Sequence, residues 1–79
     1  MEFIYYLIKN QNIIKKFSEN NKDKIKQFCT ELLNESDEFD EVEVYRIPFD
    51  VNIFDFRQLI RYGENVTCDY IDNDDLIIL

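Results

Sequence analysis

The stretch Phe-Ile-Tyr-Tyr-Leu-Ile, residues 3–8, decides the fold of this chain. It is apolar, aromatic and β-branched throughout, and it lies between the charged residues Glu2 and Lys9. A short run without polar alternation is typical of a strand buried on both faces in the middle of a sheet. Residues 9–12, Lys-Asn-Gln-Asn, predict a turn, because Asn tolerates left-handed backbone conformations. Residues 13–17 then alternate and predict the second strand of a hairpin. Regular alternation puts Ile13, Lys15 and Phe17 on one side of this strand, and Ile14 and Lys16 on the other.

The next segment has the apolar period of an amphipathic helix over residues 21–34. Its apolar stripe, at positions i, i+3, i+4, i+7 and i+8, consists of Ile25, Phe28, Cys29, Leu32 and Leu33. Residues 18–21 offer several N-cap candidates. Asn20 is one of them, since Asp23 three residues later suits the positive end of the helix dipole.

The second half of the chain predicts a further set of short elements. Residues 42–47 form a strand that Pro48 ends or places at a sheet edge. Residues 50–63 predict a helix capped by Asp50 or Asn52 and closed by Gly63 in a C′ position. The apolar face of that helix consists of Ile53, Phe56, Leu59 and Ile60. The alternative interpretation continues the strand through Val51 and Ile53.

The C-terminal part of the sequence predicts two last strands. Residues 65–71 form a strand with Val66, Cys68 and Tyr70 on one face, residues 72–75 a turn, and residues 76–79 a short strand. The predicted order is β-β-α-β-α-β-β in a single α+β domain, residues 1–79. One small antiparallel or mixed sheet, covered by one or two helices, is the simplest architecture for this order.

The residue types argue against an enzyme. The chain has no histidine, the commonest general base and metal ligand, and a single glycine, which excludes a phosphate-binding glycine-rich loop. Cys29 lies on the apolar stripe of the first helix, and Cys68 alternates with apolar residues, so both thiols are expected to be buried and structural. The acidic residues 69–75 lack the glycine and the final glutamate of an EF-hand loop. We therefore expect no catalytic residue, no metal and no cofactor.

Sequence features also indicate the cellular compartment of the protein. No apolar run is long enough to span a membrane, and the first eight residues lack the basic start of a secretory signal. Two cysteines cannot make a disulfide framework. The sequence thus predicts a cytoplasmic protein without membrane contact.

Charge is distributed unevenly along the chain. The formal net charge is −8, with residues 1–30 at +3 (six Lys against three acids) and residues 31–79 at −11 (fourteen acids against three Arg). Two segments hold most of the acids: Glu35, Asp37, Glu38, Asp40, Glu41 and Glu43 in one, and Asp69, Asp72, Asp74 and Asp75 in the other. Solubility alone is one explanation of this acidity.

The functional explanation is a binding surface that imitates nucleic acid. Duplex DNA carries one charge per ~1.7 Å of axis, whereas alternate residues of a strand are ~6.7 Å apart, so several acidic rows must meet to approach that density. Phe39, Tyr45 or Tyr70 would supply apolar anchors beside the acids. The lysine-rich first third is expected to face elsewhere or to make a second contact, with an acidic protein surface or with phosphates locally. Direct nucleic-acid binding by the molecule as a whole is not expected.

In the character of these two acidic segments the chain resembles the small phage-encoded inhibitors of host defence, of the anti-CRISPR and anti-restriction type. The resemblance covers length, acidity and the absence of catalytic apparatus, and includes no shared motif. It implies a protein-binding inhibitor or regulator, expressed in a host cytoplasm, that occupies the basic nucleic-acid-binding site of a nuclease such as a CRISPR effector. The expected partner-binding residues are the two acidic sets above together with Phe39. The alternative is a non-catalytic interaction module or homodimer, paired through the apolar residues 76–79.

Overall fold

The computed structural model describes residues 2–18 and 21–71. Four strands, β1 (Phe3–Lys9), β2 (Asn12–Phe17), β3 (Val42–Pro48) and β4 (Glu64–Asn65), form one antiparallel sheet in the order β2-β1-β3-β4. Three helices accompany them: α1 (Lys22–Glu35), α2 (Phe56–Tyr62) and α3 (Thr67–Tyr70). The predicted α+β class with one small sheet is confirmed.

Strand β1 lies inside the sheet and is covered on both faces, as its apolar run predicted. Tyr5 and Leu7 belong to the core that includes Ile25 and Cys29 of α1. Tyr6 and Ile8 point to the opposite face and pack in a second core with Leu59 of α2. Because successive strand residues point to opposite faces, the sheet is a middle layer between α1 and α2.

The hairpin between β1 and β2 closes with two residues in left-handed conformation. Lys9 pairs with Asn12, and between them Asn10 has φ 51° and Gln11 has φ 66°. A two-residue loop with positive φ at both positions is the turn whose twist matches a hairpin. Asn accepts this conformation readily, whereas Gln is strained in it.

We expect Gln11→Gly to raise the free energy of unfolding by about 1 kcal/mol, because glycine removes the left-handed strain and completes the favoured Asn-Gly turn. Urea unfolding followed by circular dichroism measures the change. Gln27→Gly is the matched control: Gln27 is exposed within α1, where glycine costs about 0.5–1 kcal/mol. Equal destabilisation by both variants would contradict the turn assignment.

Strand β2 departs from the regular alternation that the sequence suggested. The pairing shifts between Leu7 and Ile8, so that Leu7 pairs with Lys15 and Ile8 with Ile13, while Ile14 is bulged out of register. Ile13 consequently shares the face of Ile8, and not that of Lys15 and Phe17.

Helix α1 has the predicted length and face, shifted by one residue. Asn21, and not Asn20, is the N-cap: its side-chain oxygen accepts a hydrogen bond from Lys24 N at 3.1 Å. Ile25 and Cys29 are buried. The other three residues of the stripe are half-buried against the same core: Phe28, Leu32 and Leu33.

Helix α2 is half as long as predicted. It begins after Asp55, whose carboxylate accepts from Gln58 N at 3.1 Å, and residues 51–54 are irregular. Leu59 is buried, but Ile60, predicted on the same face, is 53% exposed. Gly63 ends the helix with a φ of −96°, so its conformation is not the left-handed one predicted. A Cβ there would lie 2.5 Å from Leu59 O and 3.0 Å from Arg46 O, so close backbone packing requires the glycine.

The predicted strand over residues 65–71 is wrong beyond Asn65. The chain turns into α3, and Thr67 Oγ1 accepts the hydrogen bond of Val44 N at 3.0 Å, where a longer β4 would have paired with β3. Val66 and Ile71 are buried and Tyr70 half-buried. This spacing of i, i+4 and i+5 fits one helical turn as well as the apolar alternation fits a strand.

The predicted turn at residues 72–75 and strand at residues 76–79 lie outside the described residues. Within residues 2–18 and 21–71, no helix has the length and apolar character needed to cross a membrane.

Candidate functional site

The connection between α1 and β3, residues 36–41, folds around its own side chains; it is called the acidic loop below. Asp37 N donates to Asp40 Oδ2 at 3.0 Å, and Phe39 N donates to Asp37 Oδ1 at 3.2 Å. Asp40 N donates to the carbonyl of Asp37 at 3.1 Å. Short acidic side chains thus satisfy the backbone donors of the turn, which explains why Asp lies at both positions.

Asn10, in the β1–β2 turn, ties the acidic loop to the sheet. Its Nδ2 donates to Asp40 Oδ1 at 2.8 Å, its Oδ1 accepts from Glu41 N at 2.9 Å, and its own backbone N donates to Glu41 O at 2.9 Å. Lys9 Nζ lies 3.6 Å from Asp40 Oδ2. Three hydrogen bonds from one residue hold the loop in a single orientation.

The hydrogen bond from Asn10 lowers the pKa of the Asp40 carboxyl, and the Asp37 backbone N–H and the charge of Lys9 lower it further. A carboxyl whose pKa falls on folding stabilises the native state above its unfolded pKa of ~3.9. That contribution is lost as the pH falls through the lower, native pKa.

We expect Asp40→Ala to lower the free energy of unfolding at neutral pH, with a difference from the wild type that narrows below pH ~3.9. Urea unfolding at several pH values measures it. Glu31→Ala, at an exposed position of α1, is the control and should have a small effect at every pH. A difference for Asp40→Ala that does not depend on pH would contradict the role of the ionised carboxylate.

Phe39 lies in the middle of the acidic loop. Its side chain is 84% exposed. Its neighbours Asp37, Glu38 and Glu41 are exposed, and Asp40 is half-buried. Because hydrogen bonds order the backbone of this loop before any contact is made, burial of the ring in a partner costs side-chain entropy but little further backbone entropy.

An open groove beside the loop continues the acidic surface along β3. It is lined by Asp40, Glu41, Val42, Glu43, Asn65, Thr67 and Cys68. The Glu43 carboxylate accepts from Tyr45 Oη at 3.1 Å and from Asn65 Nδ2 at 3.4 Å. Asn65 Oδ1 in turn accepts from Thr67 Oγ1 at 2.5 Å, so hydrogen bonds fix the floor of the groove.

The structure brings together part of the predicted site. Asp37, Glu38, Phe39, Asp40, Glu41 and Glu43 lie in the acidic loop and groove. Asp69 is exposed on α3, immediately after the groove residue Cys68. Glu35 lies apart, in an apolar groove with Ile14 and Lys15. Asp72, Asp74 and Asp75 lie outside the described residues.

Of the three aromatic residues predicted as anchors, Phe39 is the exposed one. Tyr45 is half-buried, with its ring 5.9 Å from that of Phe56 in an edge-to-face pair. Tyr70 is half-buried and packs edge-to-face on Tyr5, with ring centroids 5.8 Å apart.

The two cysteines differ, which corrects the expectation that both are buried. Cys29 is 1% exposed in the core, and burial raises the pKa of its thiol to about 11. Cys68 is exposed and lines the acidic groove, because the helical turn of α3 rotates it away from the core.

We expect one thiol per chain to react rapidly with Ellman's reagent in the native protein, and the second only on unfolding, since the buried thiol is both inaccessible and un-ionised. Cys68→Ser should remove the rapid phase and Cys29→Ser should leave it. Two rapid phases in the wild type would contradict the burial of Cys29.

The sequence did not reveal the residues that position this surface. Asn10 was recognised for its turn, and its bonds to a loop thirty residues away have no local signature. Asn65 and Thr67 were assigned to a strand. In the described ranges, no three Cys, Asp or Glu side chains are arranged to hold a metal ion.

Comparison of the chain with protein-family models, curated proteins and solved structures finds no significant match. Its class is therefore defined by its own features: a small α+β protein with an ordered acidic loop and an acidic groove at one side of its sheet.

Proposed function

We propose that this protein is a non-catalytic binding protein whose acidic loop and groove dock onto a basic surface of another protein. The observation that carries the proposal is Phe39, 84% exposed on a loop that hydrogen bonds hold in place. A central aromatic residue surrounded by charges is the usual composition of an interface hot spot and its rim. The acids supply attraction and orientation, and the ring supplies affinity.

The kind of partner follows from the chemistry of the surface. Carboxylates on the loop and along β3 suit a partner surface rich in Lys and Arg, and nucleic-acid-binding sites are surfaces of this kind. We propose that the protein inhibits or regulates a nucleic-acid enzyme, a nuclease such as a CRISPR effector being one example, by occupying that site. The length and acidity shared with phage-encoded inhibitors of host defence support this choice.

The test compares two variants that each remove three negative charges. The loop variant is Asp37→Asn/Glu38→Gln/Glu41→Gln, which leaves Asp40 in place to hold the loop. The control is Glu2→Gln/Glu31→Gln/Asp50→Asn, at exposed positions outside the loop. Each variant and the wild type are used to capture proteins from lysate. Any protein captured by the wild type and the control, but not by the loop variant, is purified, and its affinity for all three is measured over a range of salt concentrations.

We expect the loop variant to bind about tenfold more weakly at low salt, with a difference that shrinks as salt screens the charges. Duplex DNA or RNA should displace the wild-type protein from its partner. Equal, salt-independent binding by both variants would overturn the acidic docking surface. If duplex DNA or RNA does not reduce partner binding, the protein does not occupy a nucleic-acid-binding site, although the proposal that it binds a protein would stand.

A further inference from the structure

The opposite side of the sheet carries a different surface, built on β2. β2 is the terminal strand of the order β2-β1-β3-β4, and in the part of the chain that the structure describes no strand pairs with its outer edge. Residues 12–16 are all exposed. Half of the backbone N–H and C=O groups of an edge strand point outward, away from the sheet, where an added strand can pair with them.

The two ends of β2 differ in chemistry. Near Phe17, a hollow is lined by Lys15, Lys16, Phe17, Ser18, Asn21 and Lys24. Near the turn, an apolar groove between β2 and α1 is lined by Leu7, Ile14, Phe28 and Leu32, with Lys15, Glu31 and Glu35 at its rim. Positive charge therefore concentrates at the end of β2 away from the turn, and apolar surface at the other end.

We propose that β2 is a second docking edge, which takes an extended acidic segment of a partner protein as an additional strand. The backbone of the segment pairs with the outer edge of β2, its apolar side chains enter the groove beside Ile14, and its carboxylates lie against Lys15 and Lys24, which line the hollow on the α1 face of the sheet. Strand addition of this kind obtains affinity from main-chain hydrogen bonds and specificity from alternate side chains.

Charge favours this occupant over a second copy of the chain and over a nucleic acid. A second copy paired through β2 would bring Lys15 and Lys16 of both copies into one short interface, where like charges repel. Nucleic-acid binding is disfavoured because residues 1–45 contain lysines but no arginine, and because the rest of the chain carries net negative charge, which repels phosphates. Neither occupant uses the apolar groove together with the lysines.

The test uses a fluorescent, end-blocked synthetic peptide that alternates Val and Thr in one half and Glu and Thr in the other. The control peptide has the same sequence with alternate backbone nitrogens methylated, which keeps the charges and prevents strand pairing. The protein variant is Lys15→Glu/Lys24→Glu, and its matched control is Lys22→Glu/Lys26→Glu, with the same net charge. Glu at position 24 also suits the third residue after the Asn21 cap, so α1 is expected to persist.

We expect the first peptide to bind and the methylated peptide not to bind. Lys15→Glu/Lys24→Glu should weaken binding about tenfold or more, while the control pair changes it by less than about threefold. Amide resonances of residues 12–17 should shift and those of residues 37–41 should not. Equal binding of both peptides, tighter binding of oligothymidylate than of peptide, or a β2-linked homodimer on sedimentation would each overturn the proposal. Phe39→Ala should leave peptide binding unchanged, which separates this edge from the acidic loop.

Discussion

Leu59→Ala is expected to lower the free energy of unfolding by about 2–5 kcal/mol, a large part of the ~4–12 kcal/mol that a chain of this size possesses. Leu59 is fully buried and packs in the core formed by Tyr6, Ile8 and Ile47. It is the buried residue of α2, a helix of two turns that is too short to be stable without tertiary contacts. The cavity left by truncation therefore loosens the helix as well as the core. Urea unfolding measured by circular dichroism gives the change.

Ile60→Ala is the control for this prediction. Ile60 is the next residue of the same helix and is of the same size, but its side chain is 53% exposed. Its truncation should change the free energy of unfolding by less than about 1 kcal/mol. Comparable losses from the two variants would mean that α2 does not pack through Leu59.

Phe39→Ala is expected to weaken partner binding by about 30- to 1000-fold, the range of a central aromatic hot spot of about 2–4 kcal/mol. The free energy of unfolding should stay unchanged, because the ring is exposed in the free protein. Titration calorimetry against the partner captured by the wild type measures the affinity, and urea unfolding measures the stability.

Phe54→Ala supplies the matched control, since Phe54 is 87% exposed and lies before α2. It removes an equally exposed phenyl ring outside the acidic loop and should leave binding to that partner unchanged. If the two phenylalanine variants bind equally well, the acidic loop is not the docking surface.

The elements predicted correctly are those in which composition and period agree. Residues 3–8 are apolar on both faces of a strand, which is possible only in a sheet covered on both sides, and the helix stripe from Ile25 to Leu33 fits no other period. The predictions failed where two periods fit equally well. Val66, Tyr70 and Ile71 satisfy one helical turn, and Thr67 offers a hydroxyl that replaces a strand hydrogen bond; this arrangement depends on β3 being alongside.

The candidate site likewise has features that could be predicted from the sequence and features that could not. The acids and Phe39 could be named from the sequence, because a run of charges with one aromatic residue is visible without a fold. The fixed conformation of the loop that carries them could not be predicted, since it depends on a hydrogen bond from Asn10 in the β1–β2 turn to Asp40. The separation of Glu35 from this group likewise follows from its place at the end of α1, on the side of Ile14 and Lys15.

The hydrogen bonds between Asn10 and the acidic loop have a consequence for how the proposed docking surface is assembled. The bonded residues are 31 positions apart in the chain, and they meet only after β1 has paired with β3. We therefore expect Phe39 to acquire its position only when the central strand pair has formed. Residues 36–41 transplanted alone into a host loop would lose this geometry. We expect the smallest portable unit to include the β1–β2 hairpin and β3 with the loop, because the bonds of Asn10 to Asp40 and Glu41 need both.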